Sequence, residues 1–223
     1  MALDSGQIEP LEGSSHIVLA SSSPWRQRIL LDAGIRCMAV ASGVNESEIT
    51  GDSPRDVARN RAGAKALAVA RQFPDALVIG ADQVVHLDDE PIGKPRSAAD
   101  WMQRLRAFRG RTHLLTTAVA LVGGGVPEEH FSVDSRVRFR ADVSDEELAA
   151  YIAHGEAQGC AGGYMVEQRG VWLIEAIDGD WTNVVGMPIF HLVGRLRCRG
   201  FRLHADGLGR VAGVQTTGGS SSA

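Results

Sequence analysis

The stretch from His16 to Gly34, HIVLASSSPWRQRILLDAG, constrains this chain most. It predicts a short apolar strand over His16–Ala20, a serine-rich turn, and a helix from Pro24 to Ala33 that stops at Gly34. Ser23 suits an N-cap, and Pro24 suits the first helical position, whose N–H has no intrahelical partner anyway. A strand running straight into a helix is the building unit of an α/β sheet. It also brings free N–H groups, the positive helix end, the hydroxyls of Ser22 and Ser23 and the cation of Arg26 towards one point. That is an anion site, and phosphate is its commonest guest.

The alternation continues. Ser53-Pro-Arg-Asp56 predicts a capped helix running to about Phe73, and Leu77–Val85 reads as a buried strand. Ser97-Ala-Ala-Asp100 caps a helix with Trp101, Leu105 and Phe108 on one face, ended by Gly110. Leu114–Val122 is apolar strand, and Phe131–Arg140 alternates with the period of a half-exposed strand. Gly123-Gly-Gly125 between them lacks a following Lys-Ser/Thr, so it is a turn rather than a phosphate loop. Ser144–Glu147 caps a helix ending near Gly155; Val171–Ala176 reads as strand, Ile177–Asp180 as turn, and Pro188–Arg199 as the closing helix. Residues 1–14 read as a flexible arm, and 205–223, ending TTGGSSSA, as a disordered tail. One domain over 15–204 is therefore expected.

Several residues fit this scaffold badly. Lys65 falls among Ala58, Ala62 and Val69 on one helix face, which fits either a snorkelling stem or an ammonium aimed into a polar cleft. Asp82 sits among Val78, Ile79, Val84 and Val85, where a carboxylate is costly unless it is paired or bound to metal. Ligands gather at strand ends in α/β sheets, which favours a functional reading over a cap. Arg26 lies at a helix N-terminus, where a cation is unfavourable without an anion beside it. Glu46 and Lys94 are, by themselves, ordinary loop charges.

Read in order, Ala20-Ser-Ser-Ser-Pro-Trp-Arg26, Gly43-Val-Asn-Glu46, the Lys65 helix, Gly80-Ala-Asp-Gln83, Gly93-Lys-Pro95, Ala161–Glu167 and Val184-Val-Gly-Met-Pro188 resemble the Maf family of nucleoside triphosphate pyrophosphatases over roughly residues 15–201. The resemblance implies an elongated mixed β-sheet with flanking helices, in two lobes around a central cleft. It implies that Asp82 activates water, that Glu46 and Asp82 hold a divalent cation (Mg²⁺ or Mn²⁺), and that Ser22, Ser23, Arg26, Lys65 and Lys94 bind the phosphates. The family pattern has two adjacent acids where this chain has Asn45 and Glu46, so one acid is missing.

Three further positions divide the family by base. Arginine, threonine and glutamine mark a dTTP/UTP branch; an aromatic, glutamine and glutamate mark a 7-methyl-GTP branch. Trp25, Gln83 and Glu167 resemble the second. Tryptophan is the best partner for a cationic methylated ring, and a carboxylate can pair with the guanine edge. Trp25 could equally pack in the core against Ile29, and a one-residue shift would put Gln168 in the place of Glu167. The expected function is hydrolysis of 7-methyl-GTP to the monophosphate and pyrophosphate. The alternatives are a dTTP/UTP pyrophosphatase and a non-catalytic nucleotide-binding regulator of septum formation.

Composition is that of an ordinary globular protein and bounds its partners. A net charge of −4 offers no global field for nucleic acid or anionic membrane, though a local basic cleft is compatible with it. Cys37, Cys160 and Cys198 show neither metal-ligand spacing nor a disulfide framework, so a cytoplasmic setting is expected. The polar start, MALDSGQIEP, does not read as a signal peptide, and no run approaches the ~20 apolar residues of a membrane span. A homodimer is left open.

Overall fold

A computed structural model describes residues 17–125, 127–204 and 207–210. Its strands are β1 (Ile17–Leu19), β2 (Met38–Ala39), β3 (Leu77–Leu87), β4 (Glu90–Ile92), β5 (Thr112–Gly123), β6 (Glu129–Phe139) and β7 (Ile174–Asp178). They form one mixed sheet in the order β2-β1-β3-β5-β6-β7, with β4 paired to the end of β3. Only β1 makes parallel pairs, with β2 and β3; the other strand pairs of this sheet are antiparallel. The helices are α1 (Pro24–Asp32), α2 (Pro54–Ala70), α3 (Ala98–Phe108), α4 (Asp145–His154), α5 (Trp181–Val185) and α6 (Ile189–Cys198). A separate hairpin joins β8 (Phe201–His204) to β9 (Gly207–Arg210). This is the mixed sheet with flanking helices that the motifs imply.

The helix ends follow from local chemistry. The hydroxyls of Ser23, Ser53, Ser97 and Ser144 each accept the N–H three residues on, and Glu147 completes a capping box by accepting from the Ser144 amide. The apolar core falls into three groups. Two pack either side of the first half of β3, around Ile79 and Val78; the third holds Val85 and Leu87 with Trp101, Phe108 and Phe139. Asp82 and Gln83 stand at the middle of β3, between Ala81 of one group and Val84 and Val85 of the other two.

The reading of the later chain needs correction. Val171–Ala176 is no continuous strand: Arg169–Leu173 is a 3-10 turn and β7 begins only at Ile174. Val171 and Trp172 are neighbours and both exposed, which no strand covered on one face allows. Ile177 and Asp178 continue β7 instead of turning, and Asp180 caps the short helix α5 by accepting from the Thr182 and Asn183 amides. The two- and three-residue strands β2 and β4 had no readable period. Gly207–Arg210 is strand within the segment read from composition as tail. The predicted arm, and residues 205–206 and 211–223 of that tail, lie outside the described residues.

Candidate active site

The site begins with a close approach of helix to sheet. Ala58, Ala62 and Ala66 of α2 pack in one core group with Val78 and Val84 of β3, and Gly80 meets Ala62 and Ala66. A Cβ at Gly80 would fall 2.3 Å from the Ala62 carbonyl oxygen, so only glycine lets α2 come this near. The approach brings the Lys65 ammonium to the strand. Its Nζ lies 2.6 Å from Asp82 Oδ1 and 2.6 Å from Glu46 Oε1. Glu46 is held there by a 3-10 turn, Glu46–Glu48, whose N-cap is Asn45, its Oδ1 accepting from the Ser47 amide. The residue that departs from the family's acid pair therefore shapes the turn that presents the remaining acid.

The two carboxyls are tuned apart. Burial pushes Asp82 above the usual carboxylate range, and the charge and hydrogen bond of Lys65, with Arg26, only partly oppose it. Burial also pulls on Glu46, but the hydrogen bond and charge of Lys65, helped by Arg61 and Lys94, bring it below its ordinary value. A carboxyl raised in this way is the better proton acceptor of the two.

Arg26 faces inward. Its Nε donates to Gly186 O at 2.9 Å, and Nη1 donates to Ala81 O at 2.9 Å and to Ser21 Oγ at 3.3 Å. It thereby ties α1 to β3 and to the end of α5. Burial lowers its pKa, while the charges of Asp82 and Glu46 act to raise it. Ser23 caps α1, Ser22 is exposed, and Lys94 is exposed in the loop after β4, near enough for its charge to act on Glu46. The structure thus brings Arg26, Glu46, Lys65 and Asp82 together, with Lys94 at the rim.

The three positions expected to read the base have other surroundings. Neighbouring residues of a strand point to opposite faces, so Gln83 turns away from Asp82. Its Nε2 donates to the Asn183 carbonyl of α5 at 2.6 Å and to Thr117 Oγ1 at 3.1 Å. Trp25 is half-buried and packs on the core group that contains Val184 of α5. Glu167 is half-buried and raised by burial, whereas Gln168 is exposed. Sequence reasoning missed Arg61, whose guanidinium reaches towards Asp82, although it stands one helical turn before Lys65. It also missed Ser21, whose Oγ accepts from Arg26 and from the Ser23 amide, and Asn183, fully buried and donating to Leu115 O and Ser135 Oγ.

The profile of the family described as Maf-like protein matches residues 16–198. The dTTP/UTP pyrophosphatase of Symbiobacterium thermophilum is 38% identical over 195 residues, 86% of this chain and 98% of that protein. That of Oleidesulfovibrio alaskensis is 40% identical over 86% of this chain and 88% of its own length. The 7-methyl-GTP pyrophosphatase of a Polaromonas species is 37% identical over 86% of this chain and 89% of its own. Among eight relatives compared, seven are dTTP/UTP pyrophosphatases and one is a 7-methyl-GTP pyrophosphatase. This overturns the expectation, drawn from Trp25, Gln83 and Glu167, that the chain stands closest to the 7-methyl-GTP branch. Two of those three residues are occupied in the fold itself, Gln83 by the α5 backbone and Trp25 by packing. With its profile matched across nearly the whole described chain and its relatives aligned almost end to end, this chain belongs to the Maf family.

Proposed function

We propose that this chain hydrolyses dTTP and UTP to the nucleoside monophosphate and pyrophosphate. The coarse part of that reading, a hydrolase acting on nucleoside triphosphates, rests on family membership. The pyrimidine preference rests on the predominance of dTTP/UTP pyrophosphatases among the relatives. The observation that carries the chemistry is the Lys65–Asp82–Glu46 cluster at the middle of β3. Asp82, raised by burial, takes the proton of the attacking water. Lys65 lies beside it to meet charge that builds on the phosphates, and Arg26 and Lys94 add positive potential around the same carboxylates.

A divalent cation, Mg²⁺ or Mn²⁺, fits this donor set. Asp82 Oδ2 is buried without a hydrogen-bond partner, and Glu46 supplies a second carboxylate beside it. Among the described residues no group of three His, Cys, Asp or Glu forms a protein-only cage. One or two carboxylates completed by substrate phosphates is the usual arrangement for Mg²⁺. Bound there, the ion would supply charge neutralisation on the phosphate oxygens. Among the described residues no helix is long and apolar enough to cross a membrane.

Pyrophosphate release from dTTP, UTP, GTP and 7-methyl-GTP tests the reading. The expected result is the highest kcat/KM for dTTP and UTP. A clear preference for 7-methyl-GTP would remove the pyrimidine assignment, and no release from any triphosphate would remove the activity.

A further inference from the structure

We propose that Arg61 is a phosphate-binding residue of this site, touching the triphosphate beside Asp82; the inference rests on the triphosphate reading above. Arg61 and Lys65 stand one turn apart on α2, and like charges at that spacing repel unless anions lie between or beside them. The two carboxylates at hand are already engaged by Lys65, each at 2.6 Å. Arg61 Nη1 stops 4.0 Å from Asp82 Oδ2, too far for a hydrogen bond. Its Nε is buried without a partner, and so is the carboxylate oxygen it faces.

Several arginines of the chain instead spend donors on a carboxylate. Arg28, Arg106, Arg109 and Arg140 each donate to a carboxylate. Arg61 holds its donors unspent against the buried Asp82 while its side chain remains 26% exposed, open to a ligand from solvent. A planar fork with free donors matches the oxygens of a phosphoryl group. Arg61, Lys65, Arg26 and Lys94 then make four cations around two carboxylates, a local positive excess in a chain of net charge −4. A polyanionic substrate would balance that excess.

Titration calorimetry with inorganic tripolyphosphate, beside dTTP kinetics and melting curves, tests the assignment. Arg61→Leu should weaken tripolyphosphate binding roughly 10- to 100-fold, the range for losing a charge-assisted hydrogen bond. It should lower kcat/KM for dTTP at least as much and leave the melting temperature close to wild type. Arg61→Lys should recover part of the affinity, because it keeps charge without the fork. The same loss should appear in an Asp82→Asn background; if it vanishes there, Arg61 acts only through Asp82 and the assignment falls. Should Arg61→Leu fail to fold, Arg61→Gln is read instead. Affinity within twofold of wild type, or a wild type that does not bind tripolyphosphate, overturns the assignment. A wild type that hydrolyses no nucleotide but binds tripolyphosphate through Arg61 would sink the proposed function alone. A wild type with turnover and no Arg61 dependence would sink this inference alone.

Discussion

Replacing Lys65 by alanine should destabilise the protein by about 3–5 kcal/mol, the usual cost of breaking a buried ion pair from one side. The side chains of Lys65 and Asp82 are 7% and 6% exposed, and their charged atoms are 2.6 Å apart. Without the ammonium, Asp82 keeps its burial and has Arg61 only at 4.0 Å. Glu46 contributes little to the cost, because its side chain is 49% exposed and water replaces the lost contact. Against a total stability of about 5–15 kcal/mol the loss is large. At about 2–4 °C per kcal/mol for a chain of this size, the melting temperature should fall by roughly 6–20 °C. Lys65→Met combined with Asp82→Asn removes both charges while keeping volume, and should recover all but about 1–2 kcal/mol. Urea unfolding followed by far-UV circular dichroism at pH 7 reads both variants, and an unchanged slope confirms a comparable unfolded state. The double variant should be folded and inactive, which separates stability from catalysis. A loss under about 1 kcal/mol for Lys65→Ala, typical of an exposed pair, would refute the reasoning. So would a double variant no more stable than the single one.

Asp82→Asn should lower kcat for dTTP by at least about 10²-fold, the low end for a lost general base, while tripolyphosphate binding stays within a few-fold. Near-normal turnover would remove Asp82 from the proton-accepting role. His113 gives a pH prediction away from the site. Burial, with the charge of His86 in support, holds its imidazole down to about 3, stacked on Phe108 and 2.7 Å from the Tyr164 hydroxyl. The unfolded chain takes up that proton near pH 6.5 and the folded chain does not. Stability is therefore complete above pH 6.5 and falls towards pH 3, by about 1.4 kcal/mol per unit. His113→Phe should flatten the stability profile between pH 6.5 and 5 by close to that slope, read by urea midpoints. An acid slope equal to wild type would show that His113 does not set it.

Local chemistry was legible in the sequence wherever it acts over a few residues. The serine caps of α1 to α4, the glycine stops and the alternation of β6 depend on bonds between near neighbours, so composition at fixed offsets announces them. Two oddities also showed, Lys65 on an apolar stripe and Asp82 in an apolar strand, because a buried charge breaks a pattern. Partnership did not show. That these two misfits pair with each other depends on Gly80 admitting α2 to the sheet, a contact between residues far apart in sequence. The inward turn of Arg26 was likewise invisible, since its acceptors belong to Ala81 and Gly186. So was the engagement of Gln83 by α5, a helix of five residues whose Asp180 cap reads as a turn. Base preference misled for the same reason. Residue type at Trp25, Gln83 and Glu167 suggests recognition, while the fold makes its own demand on two of them, Trp25 packing on an apolar core group and Gln83 donating to the α5 backbone, and only the folded arrangement exposes that second demand. Local pattern thus specifies the longer elements and marks the charges that need company; which charges meet is settled by tertiary contact, because burial and distance are properties of the assembled chain.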